Sequence, residues 1–353
     1  MKINVASYLP QIDFLRAIAV TIVLGYHFFP SIFPGGFLGV DVFFIISGYL
    51  ITSQLSGSLL TAERPIATFY LRRCARLLPA ILFLIVVCNL LGFFILLPNE
   101  FKALNLQSFA ALTFFSNYFF LAQINYFDPA AQLKPLLHMW SLSVEMQFYI
   151  FWPLVMLCHK RYSKTRLLIG LFAGSLLISL AASFFFLPFN YYSLFSRLWM
   201  FSLGALVFLV KASSKSNFID AMRFIEGHPT LHLMVSLLCL FLILQAVFFY
   251  EPVGYYPNLS VFAVSVASAF LLFSKSEPKW KILYKNPVVK FVSEISYSLY
   301  LWHWPIFSIA YISIGQNLST SDLLLLCALS VVIATVSRFA IERPAQKHLL
   351  KNV

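Results

Sequence analysis

The sequence predicts an all-α polytopic membrane protein, with about ten transmembrane helices in one bundle and one interfacial or re-entrant segment. Three observations carry that expectation. Hydrophobic residues make up 60% of the 353 and charged residues only 11%, with 39 Phe, a composition far from that of soluble domains. The apolar residues gather into runs of about 20, long enough to cross a bilayer. The charge surplus of +12 falls mostly between those runs.

In order, the runs cover approximately residues 12–30, 36–56, 79–97, 142–158, 167–187, 191–211, 231–250, 258–274, 291–313 and 322–341. The first is read as a retained span and not a signal peptide, because Tyr26, His27, Phe28 and Phe29 at its end offer no small-residue cleavage pattern. With the amino terminus inside, the inner segments hold Lys2, Arg64, Arg72, Arg73, Arg76, Lys160, Arg161, Lys164, Arg166, Lys211, Lys215, Arg223, Lys275, Lys279, Lys281, Lys285, Lys290, Arg343, Lys347 and Lys351. The outer segments hold only Lys102 and Lys134, while Arg16, Arg197 and Arg338 stay within spans. This is the positive-inside pattern, and it places both termini in the cytoplasm. Counting the run at 107–121 as a full crossing would put Lys160 to Arg166 outside, so that run is read as interfacial or re-entrant.

The same distribution removes nucleic acid as an expected partner, since the basic residues mark loop topology. No repeated pair of Gly/Pro-broken spans marks an inverted-repeat transporter. No linker divides the chain, so residues 1–353 are expected to form a single integral-membrane domain with no appended soluble domain. Cys74, Cys88, Cys158, Cys239 and Cys327 are scattered and odd in number; they suggest packing residues, with neither a disulfide framework nor metal-ligand spacing.

Chemistry is expected where ionisable groups enter the spans. Each costs about 2.5 to 3.5 kcal/mol or more to insert, so its presence is a functional hypothesis by default. Arg16 and His27 stand eleven residues apart; at 100° each the rotation comes to about 1100°, some 20° from full register, which stacks both on one helix face. Across the turn at Pro30 to Gly36, His27 and Asp41 lie about equally far from the hairpin tip and can meet, giving an imidazole oriented by a carboxylate, as a general base acting on an alcohol needs. The plain alternative makes His27 a packing residue and Asp41 an interfacial cap.

Between the second and third spans, Arg72, Arg73 and Arg76 form a basic segment. Arg73 and Arg76, three apart, share a helix face and suit forked phosphate contacts, although a basic loop is also an ordinary topology signal. The stretch His138 to Tyr149 opens the fourth span with Trp140, Ser141, Ser143 and Glu145; Ser141 can cap the helix, and Glu145, one turn deeper, needs a partner such as Arg16 or Arg197. The ninth span carries Ser296 to Pro305, with Trp302, His303 and Trp304, a polar aromatic band suited to a sugar ring or nucleotide, or else an interfacial belt. Arg338 and Glu342, four apart, are most simply an intrahelical pair.

These motifs together resemble the bacterial membrane-bound acyltransferase-3 family, the O-acetyltransferases of surface glycans. The resemblance rests on Arg16 and His27 as arginine, ten residues, histidine; on Gly36 to Tyr49 (GFLGVDVFFIISGY); on Arg73 and Arg76 as R-x-x-R; on Trp140 to Tyr149 (WSLSVEMQFY); on Ser296 to Pro305 (SYSLYLWHWP); and on Ile341 to Pro344 (IERP). It runs from about residue 8 to 344. It implies transfer of an acyl group, usually acetyl from cytoplasmic acetyl-CoA, to a hydroxyl of an extracytoplasmic or lipid-linked sugar. His27 is then the catalytic histidine with Arg16 its motif partner, and Asp41 or Glu145 orients the ring. Arg73 and Arg76, with Arg72 beside them, are expected near the donor, and Trp140, Ser141, Ser143, Trp302, His303 and Trp304 near the acceptor. No metal is implied.

The resemblance also implies a bacterial cytoplasmic (inner) membrane and, as preferred acceptor, a lipopolysaccharide O-antigen sugar. A separate extracytoplasmic acyltransferase partner is allowed for, because some family members carry such a domain. The rival from another class is a glycan or lipid transporter or flippase, whose route would also be lined by polar residues.

Overall fold

The computed structural model describes residues 9–61, 64–123, 129–157, 164–212, 217–251, 255–274, 286–315 and 317–351. Lys2, Cys158, Lys160, Arg161, Lys215, Lys275, Lys279, Lys281 and Lys285, on which the sequence argument drew, lie outside the described residues. Regular structure among the described residues is helical: α1 (Pro10–Phe28), α2 (Gly39–Thr61), α3 (Pro65–Ile95), α4 (Pro98–Leu112), α5 (Ser116–Leu121), α6 (Met139–Leu157), α7 (Lys164–Phe185), α8 (Leu187–Tyr192), α9 (Leu194–Ala212), α10 (Asn217–Gly227), α11 (Pro229–Phe248), α12 (Leu259–Phe273), α13 (Pro287–Ile314), α14 (Thr320–Val336) and α15 (Arg343–Leu349). A π-helical turn, Ser337–Glu342, joins the last two.

Local chemistry sets the helix ends. Pro stands in the first turn of α1, α3, α4, α8, α11, α13 and α15, where its missing N–H costs nothing. Asn258 and Asn286 accept from backbone N–H groups of Val261 and Val288 at 3.2 and 2.8 Å. Ser319 and Asp322 exchange bonds in a capping box at the start of α14. Gly315 ends α13 at φ +109°, a conformation open to glycine.

Among the described residues, seven helical stretches are long and apolar enough to cross a membrane by length and composition: Pro10–Phe28, Gly36–Gly57, Pro65–Ile95, Lys164–Phe185, Leu194–Ala212, Pro229–Phe248 and Thr320–Leu349. The other three expected runs are also helical. Of these, α12 is apolar but short, and α6 and α13 are lengthy helices with several polar positions, including Glu145, Lys290 and Glu294. The run at 107–121 is not one helix. It is broken between α4 and α5 at Phe114, whose φ of 58° is left-handed. The amphipathic α10 was not expected from the sequence.

The second and third spans are joined differently from the sequence reading. The segment Phe69 to Pro79 is no loop, because α3 starts at Pro65 and runs 31 residues straight through Pro79. Arg72, Arg73 and Arg76 are therefore helical.

Burial sorts the helices. The span containing α2 is 83% buried and that of α7 only 17%, so α2 is central and α7 peripheral. The side chains left open on outer helices include Phe93, Phe94, Phe184 and Phe185, a surface suited to lipid. At the centre, α2 and α9 approach backbone to backbone: a Cβ on Gly48 would lie 2.0 Å from the Phe201 carbonyl oxygen, and one on Gly204 1.9 Å from that of Ile45. Phe201 stacks between Phe44 and Phe148 at 4.6 and 4.2 Å. Trp152 of α6 donates to Thr52 of α2 at 2.9 Å.

Candidate active site

Helix α1 lies along α13, and its polar positions meet that helix in order. Ser293 donates to Asp13 at 2.7 Å, Arg16 donates to Ser296 at 2.9 Å, and the His27 ring lies 5.1 Å from His303 and 4.5 Å from Trp304. His303 is in turn 5.8 Å from His138, so three imidazoles gather at the end of the bundle where α1 finishes. His303 Nδ1 faces the Tyr300 and Leu299 carbonyls at 2.7 and 3.2 Å, and its Nε2 has no hydrogen-bond partner. Among the described residues no group of three or more His, Cys, Asp or Glu is arranged to hold a metal ion.

Below this cluster is a narrow cavity of about 80 Å³, lined by α1, α2, α3, α6 and α13. Its charged and polar lining comprises Arg16, Ser47, Arg73, Arg76, Ser141, Glu145, Tyr149, Ser296, Tyr297 and Tyr300. Glu145 accepts from Ser47 and from Tyr149, the latter at 2.5 Å. Arg73 is buried, donates to Gln54, and lies over the Phe69 and Tyr149 rings, 5.7 Å from each. Ser141 and Tyr300 share a hydrogen bond at the far end, and the Tyr300 ring lies 5.4 Å from His303. One aromatic layer thus separates the cavity from the histidines.

A wider cavity of about 440 Å³ opens toward the end where α1 begins, lined by Asp13, Arg16, Arg76, Lys290, Ser293, Glu294, Tyr297, Arg338, Glu342 and Gln346. The two cavities share Arg16, Arg76 and Tyr297. Arg338 lies 3.5 Å from Glu342, the intrahelical pair expected, and also 3.8 Å from Glu294 of α13.

Arg16, Arg73, Arg76, Glu145 and Ser141 therefore converge, while other sequence candidates go elsewhere. Asp41 does not turn to His27: its carboxylate takes bonds from Arg197 at 2.8 Å and Tyr256 at 2.7 Å, because α2 presents that position to α9. Glu145 in turn finds hydroxyls in place of the ion pair expected with Arg16 or Arg197. Trp140 is buried against Tyr192 and Arg197, and Ser143 accepts from the Ser116 N–H at 3.2 Å, so both tie α6 to its neighbours. Cavity-facing positions on α6 are 141, 142, 145 and 149, one helix face that leaves out 140 and 143. By the same phase, Tyr297 and Tyr300 of α13 face the cavity and Trp302 packs on Phe83 of α3 at 5.5 Å. Arg72 is exposed, one position off the Arg73 and Arg76 face.

Comparison with known proteins agrees with this arrangement of motifs. A family model described as an acyltransferase domain, acyltransferase-3, matches residues 9–339. The chain belongs to this acyltransferase family. It is 32% identical over 369 residues to the O-acetyltransferase OatA of Staphylococcus aureus strain NCTC 8325, covering 98% of this chain and 58% of that protein. OatA of strain COL matches equally. A further S. aureus COL protein, whose O-acetyltransferase assignment is inferred, is 32% identical over 366 residues, 99% of this chain and 59% of its own length. The chain thus spans somewhat under three fifths of these relatives. No solved structure matches it.

Proposed function

We propose that the chain is a membrane O-acetyltransferase that moves acetyl from cytoplasmic acetyl-CoA to a hydroxyl of an extracytoplasmic or lipid-linked sugar, with lipopolysaccharide O-antigen the preferred acceptor. One observation carries the reading. Arg16, Arg73 and Arg76 line one narrow cavity, Arg73 buried and the other two half-buried, and none has a carboxylate within salt-bridge distance among the described residues. Like charges gathered and partly withdrawn from water without counter-ions are costly, and a polyanionic ligand offsets that cost. Acyl-CoA is such a ligand, and the O-acetyltransferase names of the relatives support acetyl as the group carried.

In this reading the thioester reaches the far end of the narrow cavity, where Ser141 and Tyr300 supply hydroxyls, and Tyr300 shifts to join it to the histidine cluster. His27 takes the proton of the sugar hydroxyl, and the oxygen attacks the thioester carbonyl carbon. The C–S bond then breaks, and the departing thiolate takes a proton back from His27. A positioned general base of this kind contributes about 10² to 10⁴ in rate. The termini lie in the cytoplasm and the acceptor arrives from the opposite side of the inner membrane.

Purified protein supplied with acetyl-labelled acetyl-CoA and a glycan acceptor tests the proposal. Acceptor-dependent label on the glycan supports it. Passage of glycan across a vesicle membrane without donor consumption would instead indicate a transporter and refute it.

A further inference from the structure

Both carboxylates that the sequence offered to orient His27 are engaged elsewhere. Asp41 takes bonds from Arg197 and Tyr256, and Glu145 takes bonds from Ser47 and Tyr149. A catalytic imidazole depends on such a bond at its second nitrogen, which fixes the tautomer and stabilises the imidazolium.

The group that stands in their place is His303. Its ring centre is 5.1 Å from that of His27, and two imidazoles joined by an N–H···N bond of about 3 Å have their centres about 5 Å apart. His138, 5.8 Å from His303, stands beyond that separation. Trp304, 4.5 Å from His27, offers an N–H and no acceptor, and that N–H goes to the Lys134 carbonyl at 2.8 Å.

The tautomer of His303 is set by its own helix. Nδ1 lies 2.7 Å from the Tyr300 carbonyl and 3.2 Å from that of Leu299; carbonyl oxygens only accept, so Nδ1 carries the hydrogen. On the neutral ring Nε2 is then a bare acceptor. It is fully buried and has no hydrogen-bond partner. A buried acceptor without a donor costs stability, and in a native fold such a group calls for a role. His27 is half-buried and His303 fully buried, which leaves His27 to meet the sugar and His303 to hold it.

We propose that His303 is a positioning residue for the transfer, its Nε2 accepting the N–H of His27 once a small ring rotation closes the contact. This rests on the reading of His27 as general base. The other nitrogen of His27 takes the sugar proton, the imidazolium donates to His303 Nε2, and the proton passes on to the departing thiolate. His303 keeps its own hydrogen on Nδ1 throughout.

Transfer from labelled acetyl-CoA to a glycan acceptor by the full chain in nanodiscs, with CoA affinity read beside it, tests this for His303→Phe, His303→Gln and each combined with His27→Ala. His303→Phe removes the acceptor and is expected to lower kcat about 10- to 100-fold, the worth of a hydrogen bond to a charged group, with KM for acetyl-CoA within about twofold of wild type. His303→Gln, whose amide oxygen accepts in place of Nε2, is expected to run about tenfold faster than His303→Phe. In the His27→Ala background neither substitution is expected to change the residual rate by more than about twofold, because a residue that acts through another has nothing left to act on. Losses that multiply with His27→Ala overturn the assignment, as does a Gln variant as slow as the Phe variant while both bind CoA normally. If the Phe variant does not fold, His303→Leu carries the same comparison. A His27→Ala protein with normal turnover refutes the reading of His27 itself, a result distinct from any of these.

Discussion

Arg16 and His27 project from one face of α1 onto one neighbour: Arg16 donates to Ser296 and His27 lies against Trp304, both on α13. The eleven-residue spacing thus spans the distance from the arginine-lined cavity to the histidine cluster along a single rigid pair of helices. A guanidinium at one level and an imidazole about 16 Å away along the axis fit a long donor entering from one end.

The first expected outcome follows from that separation of roles. His27→Ala is expected to insert and bind CoA as wild type does, and to lose about 10² to 10⁴ in acetyl transfer, the usual contribution of a general base. Arg16→Ala is expected to lose CoA binding as well. Turnover with labelled acetyl-CoA, read beside CoA affinity, separates the two; a His27→Ala protein with normal turnover rejects the base.

Adjacent arginines give a second contrast. Arg72 is exposed and Arg73 is buried under Tyr149 and Phe69. Arg72→Ala is expected to leave stability within about 0.5 kcal/mol and transfer unchanged, as surface substitutions usually do. Arg73→Ala is expected to raise KM for acetyl-CoA about tenfold or more through loss of a charged hydrogen-bonding group. Equal effects of the two substitutions would count against the helical phase described for α3.

How much of this was legible in the sequence depends on the range of the interaction. Helix positions were, because apolar runs and first-turn prolines are local signals, and Arg16 with His27 was, because a fixed spacing on one helix fixes a face. The partner of Asp41 was not. The hairpin argument compared distances from a turn but carried no information on which way α2 rotates, and that is set by Gly48 and Gly204 admitting α9. Trp302 misled for a related reason: a dense aromatic band hides which of its members share a face, and of its rings Tyr297 and Tyr300 line the narrow cavity while Trp302 packs on Phe83. Tyr256, on the connection after α11, bonds to Asp41 from 215 positions away, a distance no local motif reports.

The third expected outcome concerns that buried set. Arg197 donates to Asp41, to Tyr256 and to the Tyr191 carbonyl, and its guanidinium lies 4.2 Å from the Tyr256 ring centroid. Asp41→Leu leaves an uncompensated buried cation and is expected to cost about 3–5 kcal/mol. Adding Arg197→Met removes the orphan and is expected to restore much of the loss. Retention of monodisperse protein after heating, followed by size-exclusion chromatography, reads both; a double variant no better than the single would show that the pair also carries packing the hydrophobic exchange cannot replace.

The fourth expected outcome isolates packing from charge. Gly48 and Gly204 lie where α2 and α9 touch through backbone atoms, and a methyl group at either would overlap a carbonyl oxygen of the other helix. Backbone cannot rotate away as a side chain can, so Gly48→Ala or Gly204→Ala must push the helices apart, at an overpacking cost of about 1–3 kcal/mol or more. Displacing α2 also moves Ser47, which bonds Glu145, and Gln54, which accepts from Arg73. Each glycine substitution is therefore expected to lower both the apparent melting temperature and CoA affinity. Gly174→Ala on peripheral α7, where an added methyl meets nothing within 4 Å, serves as the control and is expected to leave both unchanged. A Gly48→Ala protein as stable as that control would mean that α2 and α9 do not pack this closely.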